Sequence, residues 1–194
     1  MEQRLIEQAR AGDRRAQEAL WDAHRRWVAA IILAHRPRTA EVEDLMQEAA
    51  VKLISKVGTL REVSAFRPWL RQIIVNLCRG EARGRKARLR LASEGPGEEG
   101  EGDRGQVRAP ASREEPADVS SARREAAGRL LEQALTLPPE YREPLLLRCV
   151  RSLSYQQIGE ILGLPVTTVE TRLARARRML REEVGEIVAD EASS

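Results

Sequence analysis

Aromatic side chains are scarce in this chain of 194 residues, which has one phenylalanine, two tyrosines and three tryptophans. Its hydrophobic core must therefore be built mainly from leucine, isoleucine, valine and alanine, a composition that suits helices. No apolar run approaches the roughly 20 residues that are needed to cross a bilayer. No secretory signal peptide opens the sequence either. We therefore expect a cytoplasmic protein with no direct membrane insertion.

Cysteine and histidine are also rare, and their positions argue against a metal or redox centre. Cys78 and Cys149 form no C-x-x-C motif, so we expect buried thiols, with a redox role for either left open. His24 and His35 lie on one side of a predicted helix without a third ligand nearby, so we expect no metal and no cofactor. The chain lacks a P-loop and an H-x-E…P-C-x-x-C set, which argues against a nucleic-acid enzyme such as a nuclease or deaminase.

Charge is not scarce, but its two signs are segregated along the chain, whose net charge is only +3. Between Arg79 and Arg90 there are six cations and a single acid, Glu81. A solvated helix face usually mixes signs, so this run is typical of a helix that contacts phosphates. An unspecific basic helix end is the alternative.

Residues 92–121 are rich in glycine, proline, serine and glutamate. Such a segment cannot bury enough apolar surface to offset the loss of chain entropy on folding. We interpret it as a flexible acidic linker between two small helical domains, residues 1–91 and 122–194. The predicted fold class is therefore all-α.

In the first domain, apolar spacing predicts helices at residues 1–11, from about 14 to 35, at 41–57 and from 66 onward. The third of these helices places Asp44, Gln47, Glu48 and Val51 together on its outward face. Acidic residues in a first turn can merely complement the helix dipole. That explanation leaves the exposed Val51 unexplained, and a partner surface is the alternative.

The second domain contains two helices joined by a tight corner. Ser154 and Gln157 form a predicted capping box, Gly163 suits a left-handed helix end, and Pro165 prevents simple continuation. The lengths of the helices and of the corner are typical of a DNA-binding helix-turn-helix, with an ordinary helical hairpin as the alternative. For the second helix we predict another capping box, between Thr167 and Glu170.

That second helix has two unlike faces. The apolar stripe comprises Val169, Leu173, Ala176 and Leu180. The opposite face is polar and mostly cationic, and comprises Thr168, Thr171, Arg172, Arg175 and Arg178.

Two separate blocks of sequence resemble a bacterial RNA polymerase sigma factor of the extracytoplasmic-function group. The first consists of residues 42–48 (VEDLMQE) and 66–78 (FRPWLRQIIVNLC), followed by the arginine run. The second consists of residues 137–144 (LPPEYREP), 154–158 (SYQQI) and 168–177 (TVETRLARAR). Together they cover most of the chain outside the linker.

The resemblance implies a transcription initiation factor with no chemistry of its own. Its expected partners are core RNA polymerase, promoter DNA and an anti-sigma factor, and the acidic linker resembles the segment that threads the RNA-exit path of the polymerase. A stand-alone helix-turn-helix regulator is the rival within the same broad class, and it would bind DNA without polymerase.

The resemblance also implies three sets of site residues. The set that holds the clamp helices of the largest polymerase subunit comprises Asp44, Leu45, Gln47, Glu48 and Val51. The set that engages and melts the minus-ten element comprises Gly58, Thr59, Leu60, Arg61, Asn76, Arg79, Arg83, Arg85 and Lys86. The set that reads the minus-thirty-five element in the major groove comprises Thr167, Thr168, Glu170, Thr171, Arg172, Ala174, Arg175 and Arg178.

Two positions depart from the family pattern. Position 170 is often basic in the family and is Glu here; Glu170 either accepts a hydrogen bond from cytosine N4 or only completes the capping box, which is the role we predict. Gly159 stands where alanine is usual, which costs up to about 1 kcal/mol of helix propensity but allows closer helix packing.

Overall fold

The computed structural model describes residues 1–93, 128–150 and 153–191, with side chains described up to residue 86 in the first range and up to residue 182 in the last. All regular elements within these ranges are helical, which confirms the all-α fold class. The predicted linker, apart from its first two residues, lies outside the described residues. So do residues 122–127, the start of the predicted second domain.

The first half contains four α-helices. They are α1 (Glu2–Arg10), α2 (Arg14–His35), α3 (Val42–Lys56) and α4 (Phe66–Ser93), with short 3-10 turns at Val57–Thr59 and Val63–Ala65. The second half contains the helix α5, described over residues 128–136, and three more. These are α6 (Pro139–Cys149), α7 (Tyr155–Leu162) and α8 (Val166–Glu191).

Local signals in the sequence set the start of α2. Gly12 has a φ of 92°, a left-handed conformation that glycine adopts without a steric penalty. The carboxylate of Asp13 then accepts hydrogen bonds from the backbone N–H groups of Arg15 at 2.9 Å and Ala16 at 3.2 Å. It thereby satisfies two of the donors that a helix start leaves free.

The core stripe of α4 differs in part from the one that apolar spacing in the sequence predicts, which comprises Phe66, Leu70, Ile73 and Leu77. Phe66, Leu70 and Leu77 are buried as predicted, but Ile73 is only half-buried and Ile74 is fully buried in its place. The sequence Phe66, Leu70, Ile74 advances by four residues at each step, which keeps its members on one helix face.

The two halves pack against each other. Helix α6 lies on α2, and α7 lies on α4. Leu147 and Ile158 from the second half belong to the same buried apolar cluster as Ile31 and Leu70 from the first. The described residues therefore share one continuous core, although the two halves are separate in sequence.

Candidate nucleic-acid and partner interfaces

The outward face of α3 is exposed as its spacing predicts. Asp44, Gln47 and Glu48 are exposed, and 65% of the surface of Val51 is open to solvent. Ile54, which we did not include in this surface, is 44% exposed and extends the same face by one turn. An apolar patch beside carboxylates suits a protein partner, because removing exposed valine and isoleucine side chains from water is energetically favourable.

Leu45 does not belong to that exposed surface. It is 3% exposed and lies on the same helix face as Ala49 and Leu53, both buried. Because these three residues are spaced four apart, their side chains point into the core together. Leu45 therefore holds α3 in place, and its side chain is not available to a partner in this conformation.

The segment between α3 and α4 presents three of its four predicted site residues. Gly58, Thr59 and Arg61 are exposed, whereas Leu60 is 3% exposed and sits in the core. The N–H of Leu60 donates to the carbonyl of Val57 at 3.1 Å, which closes the turn. Leu60 thus anchors the segment instead of contacting DNA directly.

The basic face of α4 is exposed. Asn76, Arg79, Arg83 and Lys86 all face solvent, whereas Arg85 is half-buried. The Arg85 guanidinium donates to the Thr39 carbonyl at 3.1 Å, so part of its hydrogen-bonding capacity serves the loop before α3. The exposed cations form a surface that suits phosphates.

The corner of the helix-turn-helix forms as predicted. Ser154 Oγ accepts from the N–H of Gln157 at 3.2 Å, and Gln157 Oε1 accepts from the N–H of Ser154 at 2.8 Å. Gly163 has a φ of 68°. A Cβ atom on Gly159 would lie 2.6 Å from the carbonyl oxygen of Leu164, so only glycine allows α7 to approach the corner this closely.

The predicted capping box between Thr167 and Glu170 is wrong. The carbonyl of Pro165 accepts from the N–H of Thr168 at 3.0 Å and from that of Val169 at 3.2 Å. Pro165 is therefore the N-cap, α8 begins at Val166, and Thr167 already lies within the first turn. Glu170 is exposed on the helix surface and cannot complete a box with Thr167.

The polar face of α8 is open on its outer side. Thr171, Ala174, Arg175 and Arg178 are exposed, and Thr168 and Arg172 are half-buried. On the other side Val169, Leu173 and Ala176 are buried, as the apolar stripe predicts, whereas Leu180 of that stripe is only half-buried.

Helix α6 contributes to the same surface through Tyr141, which sequence reasoning missed. The Arg175 guanidinium lies 5.5 Å from the centre of the Tyr141 ring. A shallow cleft of about 360 Å³ opens beside this contact, and Glu140 and Thr171 also line it. A tyrosine far away in sequence gives no signal that it will meet α8.

Known proteins share both halves of this arrangement. Residues 20–88 match the family description "Sigma-70 region 2", and residues 127–180 match "Sigma-70, region 4". The chain is 30% identical over 187 residues to the ECF RNA polymerase sigma factor SigW of Bacillus subtilis (strain 168), an alignment that covers 96% of this chain and 98% of that relative. The chain belongs to the extracytoplasmic-function (ECF) sigma factors.

Other relatives of this sigma factor agree in length and fold. The ECF RNA polymerase sigma-E factor of Escherichia coli (strain K12) is 30% identical over 190 residues, which covers 96% of each chain. The solved structure of CnrH in complex with the cytosolic domain of CnrY is 25% identical, with a TM-score of 0.59. That match covers 95% of this chain and 97% of CnrH.

As a sigma factor, the protein is a transcription initiation factor that binds core RNA polymerase and directs it to promoter DNA. The match to region 2 excludes the stand-alone helix-turn-helix regulator, because such a regulator needs only the second half of the chain. No helix among the described residues of the sigma factor is long and apolar enough to cross a membrane.

His24 of the sigma factor makes structural contacts between helices of the first half. His24 Nδ1 lies 2.7 Å from the Leu20 carbonyl, and its Nε2 lies 3.0 Å from Glu2 Oε1. Partial burial raises the pKa of Glu2, but hydrogen bonds from Arg67 and His24 outweigh it and hold that pKa below its usual value. Within the described residues, no group of three or more potential ligands could hold a metal ion.

The two cysteines differ from each other. Cys78 is fully buried as predicted, and burial raises the pKa of its thiol to about 11, so it stays protonated and unreactive at neutral pH. Cys149 is exposed at the end of α6, which corrects the prediction that both thiols are buried.

Proposed function

We propose that this sigma factor binds core polymerase through the exposed face of α3. The observation that carries the proposal is Val51, 65% exposed and followed one turn later by Ile54 at 44%, on a helix whose other apolar residues face the core. Asp44 and Glu48 flank this patch and can pair with cations of the partner, and the neutral amide of Gln47 can donate and accept hydrogen bonds. The expected partner surface is the pair of clamp helices in the largest polymerase subunit.

The minus-ten element is then engaged by the segment after α3 and by the basic face of α4. Gly58, Thr59 and Arg61 offer an exposed turn, while Asn76 and the cations after it line the neighbouring helix surface. Melting of a duplex is favoured where cations bind the phosphates of one strand and a neighbouring turn can receive an unstacked base.

The minus-thirty-five element is read by α8 lying in the major groove. Arg172 and Arg175 suit guanine O6 and N7, the commonest specific contact in that groove. Since Glu170 does not cap α8, we favour its other role, that of accepting a hydrogen bond from cytosine N4. The basic Arg178 lies one turn further on and suits the phosphate backbone.

The sigma factor supplies no catalytic group and acts in the cytoplasm, where the polymerase transcribes. An anti-sigma factor is its expected regulator. CnrH, which this chain resembles over nearly its whole length, was solved with the cytosolic domain of a partner.

Run-off transcription with purified core polymerase and candidate promoters tests the proposed function. Asp44→Arg should weaken core binding at least tenfold and lower the amount of transcript, while helicity and melting temperature stay unchanged. The matched control is Glu43→Arg, which makes a like change in charge in the same helix turn but at the edge of the α3 face, so it should weaken core binding less. Equal losses in both variants would leave only the dipole explanation and contradict the proposal.

A further inference from the structure

The contact between the two halves is centred on a buried acid, Glu143 of α6, which is 5% exposed. Arg71 of α4 binds it with a two-pronged contact: Arg71 Nε lies 2.7 Å from Oε1, and Nη2 lies 2.7 Å from Oε2. Both hydrogen bonds join the second half of the chain to the first. Such paired, charge-assisted hydrogen bonds are among the strongest side-chain contacts.

His35, at the end of α2, approaches the same carboxylate. Its Nε2 lies 3.1 Å from Glu143 Oε2, within the distance of an ion pair, although the contact does not have the geometry of a hydrogen bond. Burial raises the pKa of Glu143, yet the contacts with His35 and Arg71 outweigh it and hold that pKa below its usual value. The charge of Glu143 is thus compensated by Arg71 of α4, and His35 of α2 contacts the same carboxylate, both from the other half of the chain.

A second ion pair lies at the exposed rim of the same contact. Arg67 Nη1 of α4 is 2.9 Å from Glu160 Oε2 of α7, and the Glu160 side chain is 49% exposed. Exposed pairs contribute little to stability, whereas a buried charge that loses its partner is strongly destabilising. The stability of the contact between the halves therefore depends mainly on Glu143 and on the apolar residues around it, of which Leu146 and Leu147 are buried.

This packing fixes the two DNA-reading surfaces close to each other. Asn76 follows Arg71 by five residues on α4, Arg71 binds Glu143, and Tyr141, two residues before Glu143, contacts Arg175. Each of the four steps of this path is shorter than about 15 Å, so Asn76 and the Arg175 guanidinium lie within about 60 Å of each other.

Promoter DNA needs a larger separation. The names of the two elements place their centres about 25 base pairs apart, which is about 85 Å of duplex at 3.4 Å per base pair. Residues 94–127 connect the halves and are long enough to span on the order of 100 Å when extended. The chain can thus reach both elements only after α6 and α7 have left α2 and α4.

We propose that Glu143, clasped by Arg71 and His35, is an intramolecular latch that keeps the free sigma factor in a closed form unable to engage both promoter elements at once. The α3 face stays exposed in this closed form, so core polymerase can bind there first and open the latch afterwards. The proposal rests on the proposed function for its consequence, but the latch itself is a property of the free chain.

Distance measurement between spin labels tests the latch in the full-length protein. Labels at Gln72→Cys and Gln156→Cys, in a Cys149→Ser background, sit on exposed positions of α4 and α7 outside the proposed DNA contacts. The wild-type latch should give one short distance, and adding core polymerase should convert it to a long one. Glu143→Gln should raise the long-distance fraction of the free protein at least tenfold, whereas Glu160→Gln at the rim should change it less than about threefold.

A double variant that removes both charges distinguishes opening of the latch from loss of folding. Arg71→Met combined with Glu143→Met removes both charges at similar volume, and it should restore the short distance that Glu143→Gln loses. If Glu143→Gln loses helicity, Arg71→Lys serves in its place, because lysine cannot make the two-pronged contact.

A long distance in the free wild type, or an unchanged short one in Glu143→Gln with intact helicity, would overturn the latch. A short distance that persists with core polymerase would overturn it as well. Run-off transcription reports separately on the proposed function: absence of transcript with the expected distances would refute that function and leave the latch standing.

Discussion

At the scale of single residues, Gly159 shows how one missing atom determines the shape of the helix-turn-helix. A Cβ there would meet the backbone carbonyl of Leu164 at 2.6 Å, and backbone cannot move aside as a flexible side chain can. Gly159→Ala should therefore lower the free energy of unfolding by about 1–3 kcal/mol, despite its better helix propensity. Chemical denaturation followed by circular dichroism measures this loss.

The matched control for that substitution is Gly80→Ala on α4. A Cβ at Gly80 would have no atom within 4 Å, so the same change should stabilise the protein by up to about 1 kcal/mol. A stabilising Gly159→Ala would show that the corner between α7 and α8 relaxes easily, contrary to the close contact seen there.

Glu170 is the residue at which sequence reasoning chose the wrong alternative. Because Pro165 caps α8, Thr167→Ala should change the free energy of unfolding by less than about 0.5 kcal/mol, whereas Ser154→Ala should lower it by about 1 kcal/mol. Glu170→Gln should relax discrimination at one minus-thirty-five position by about 1–3 kcal/mol.

Binding to duplexes that carry each base at each position measures that discrimination. An unchanged base preference in Glu170→Gln would make Glu170 a solvated surface residue with no part in reading the promoter.

At the scale of helices, the basic face of α4 makes a quantitative prediction. Each cation removed among Arg79, Arg83 and Lys86 should reduce the slope of log affinity against log salt by up to about 1, nearly independently of promoter sequence. Holoenzyme binding over a salt series measures the slope. Arg14→Ala with Arg15→Ala, which removes two exposed cations at the start of α2, is the control and should leave the slope unchanged.

Sequence alone predicted those features of each helix that depend on near neighbours. The capping box of Ser154 and Gln157 and the left-handed Gly163 were confirmed because each depends on residues only a few positions away. Spacing and charge indicated the polar faces of α3, α4 and α8, whereas their roles in binding came from the resemblance and stay predictions. Leu45 and Leu60 matched the family motif, but a motif does not show which of its members face the core.

The start of α8 was missed for a related reason. The hydroxyl of Thr167 was the side-chain acceptor that favoured a start there, whereas a start two residues earlier, at Pro165, has no side-chain acceptor to signal it. Only the direction of the Pro165 carbonyl, which accepts from Val169, decides between them.

At the scale of the whole molecule, the packing of α6 on α2 could not be predicted. The sequence YREP at residues 141–144 gives Glu143 no sign of burial, because its partners Arg71 and His35 lie far away along the chain. A buried carboxylate of this kind depends on the arrangement of three helices, and no spacing within one of them reports it.

The lowered pKa of Glu143 gives the closed form a pH dependence. Because that pKa lies below the ordinary value of 4.5, the ionised carboxylate adds stability that is present above about pH 4.5. This stability is lost as the pH falls through the lowered pKa. Wild type should therefore lose more free energy of unfolding than Glu143→Gln between pH 5 and pH 3. Parallel losses in the two proteins would show that other carboxylates, such as Glu2, dominate acid unfolding.

The stacking of Arg175 on Tyr141 bears on how promoter preference can be exchanged between family members. A side chain that rests on an aromatic ring of another helix has already given up much of its rotational freedom before it meets a base. If residues 166–178 alone were transplanted into another sigma factor, that arginine would lie beside a different residue, and its guanidinium would point in a different direction. The part of this protein that determines promoter specificity therefore includes the segment around Tyr141 as well as α8. Chimeras that receive both segments should retain the promoter preference of the donor protein.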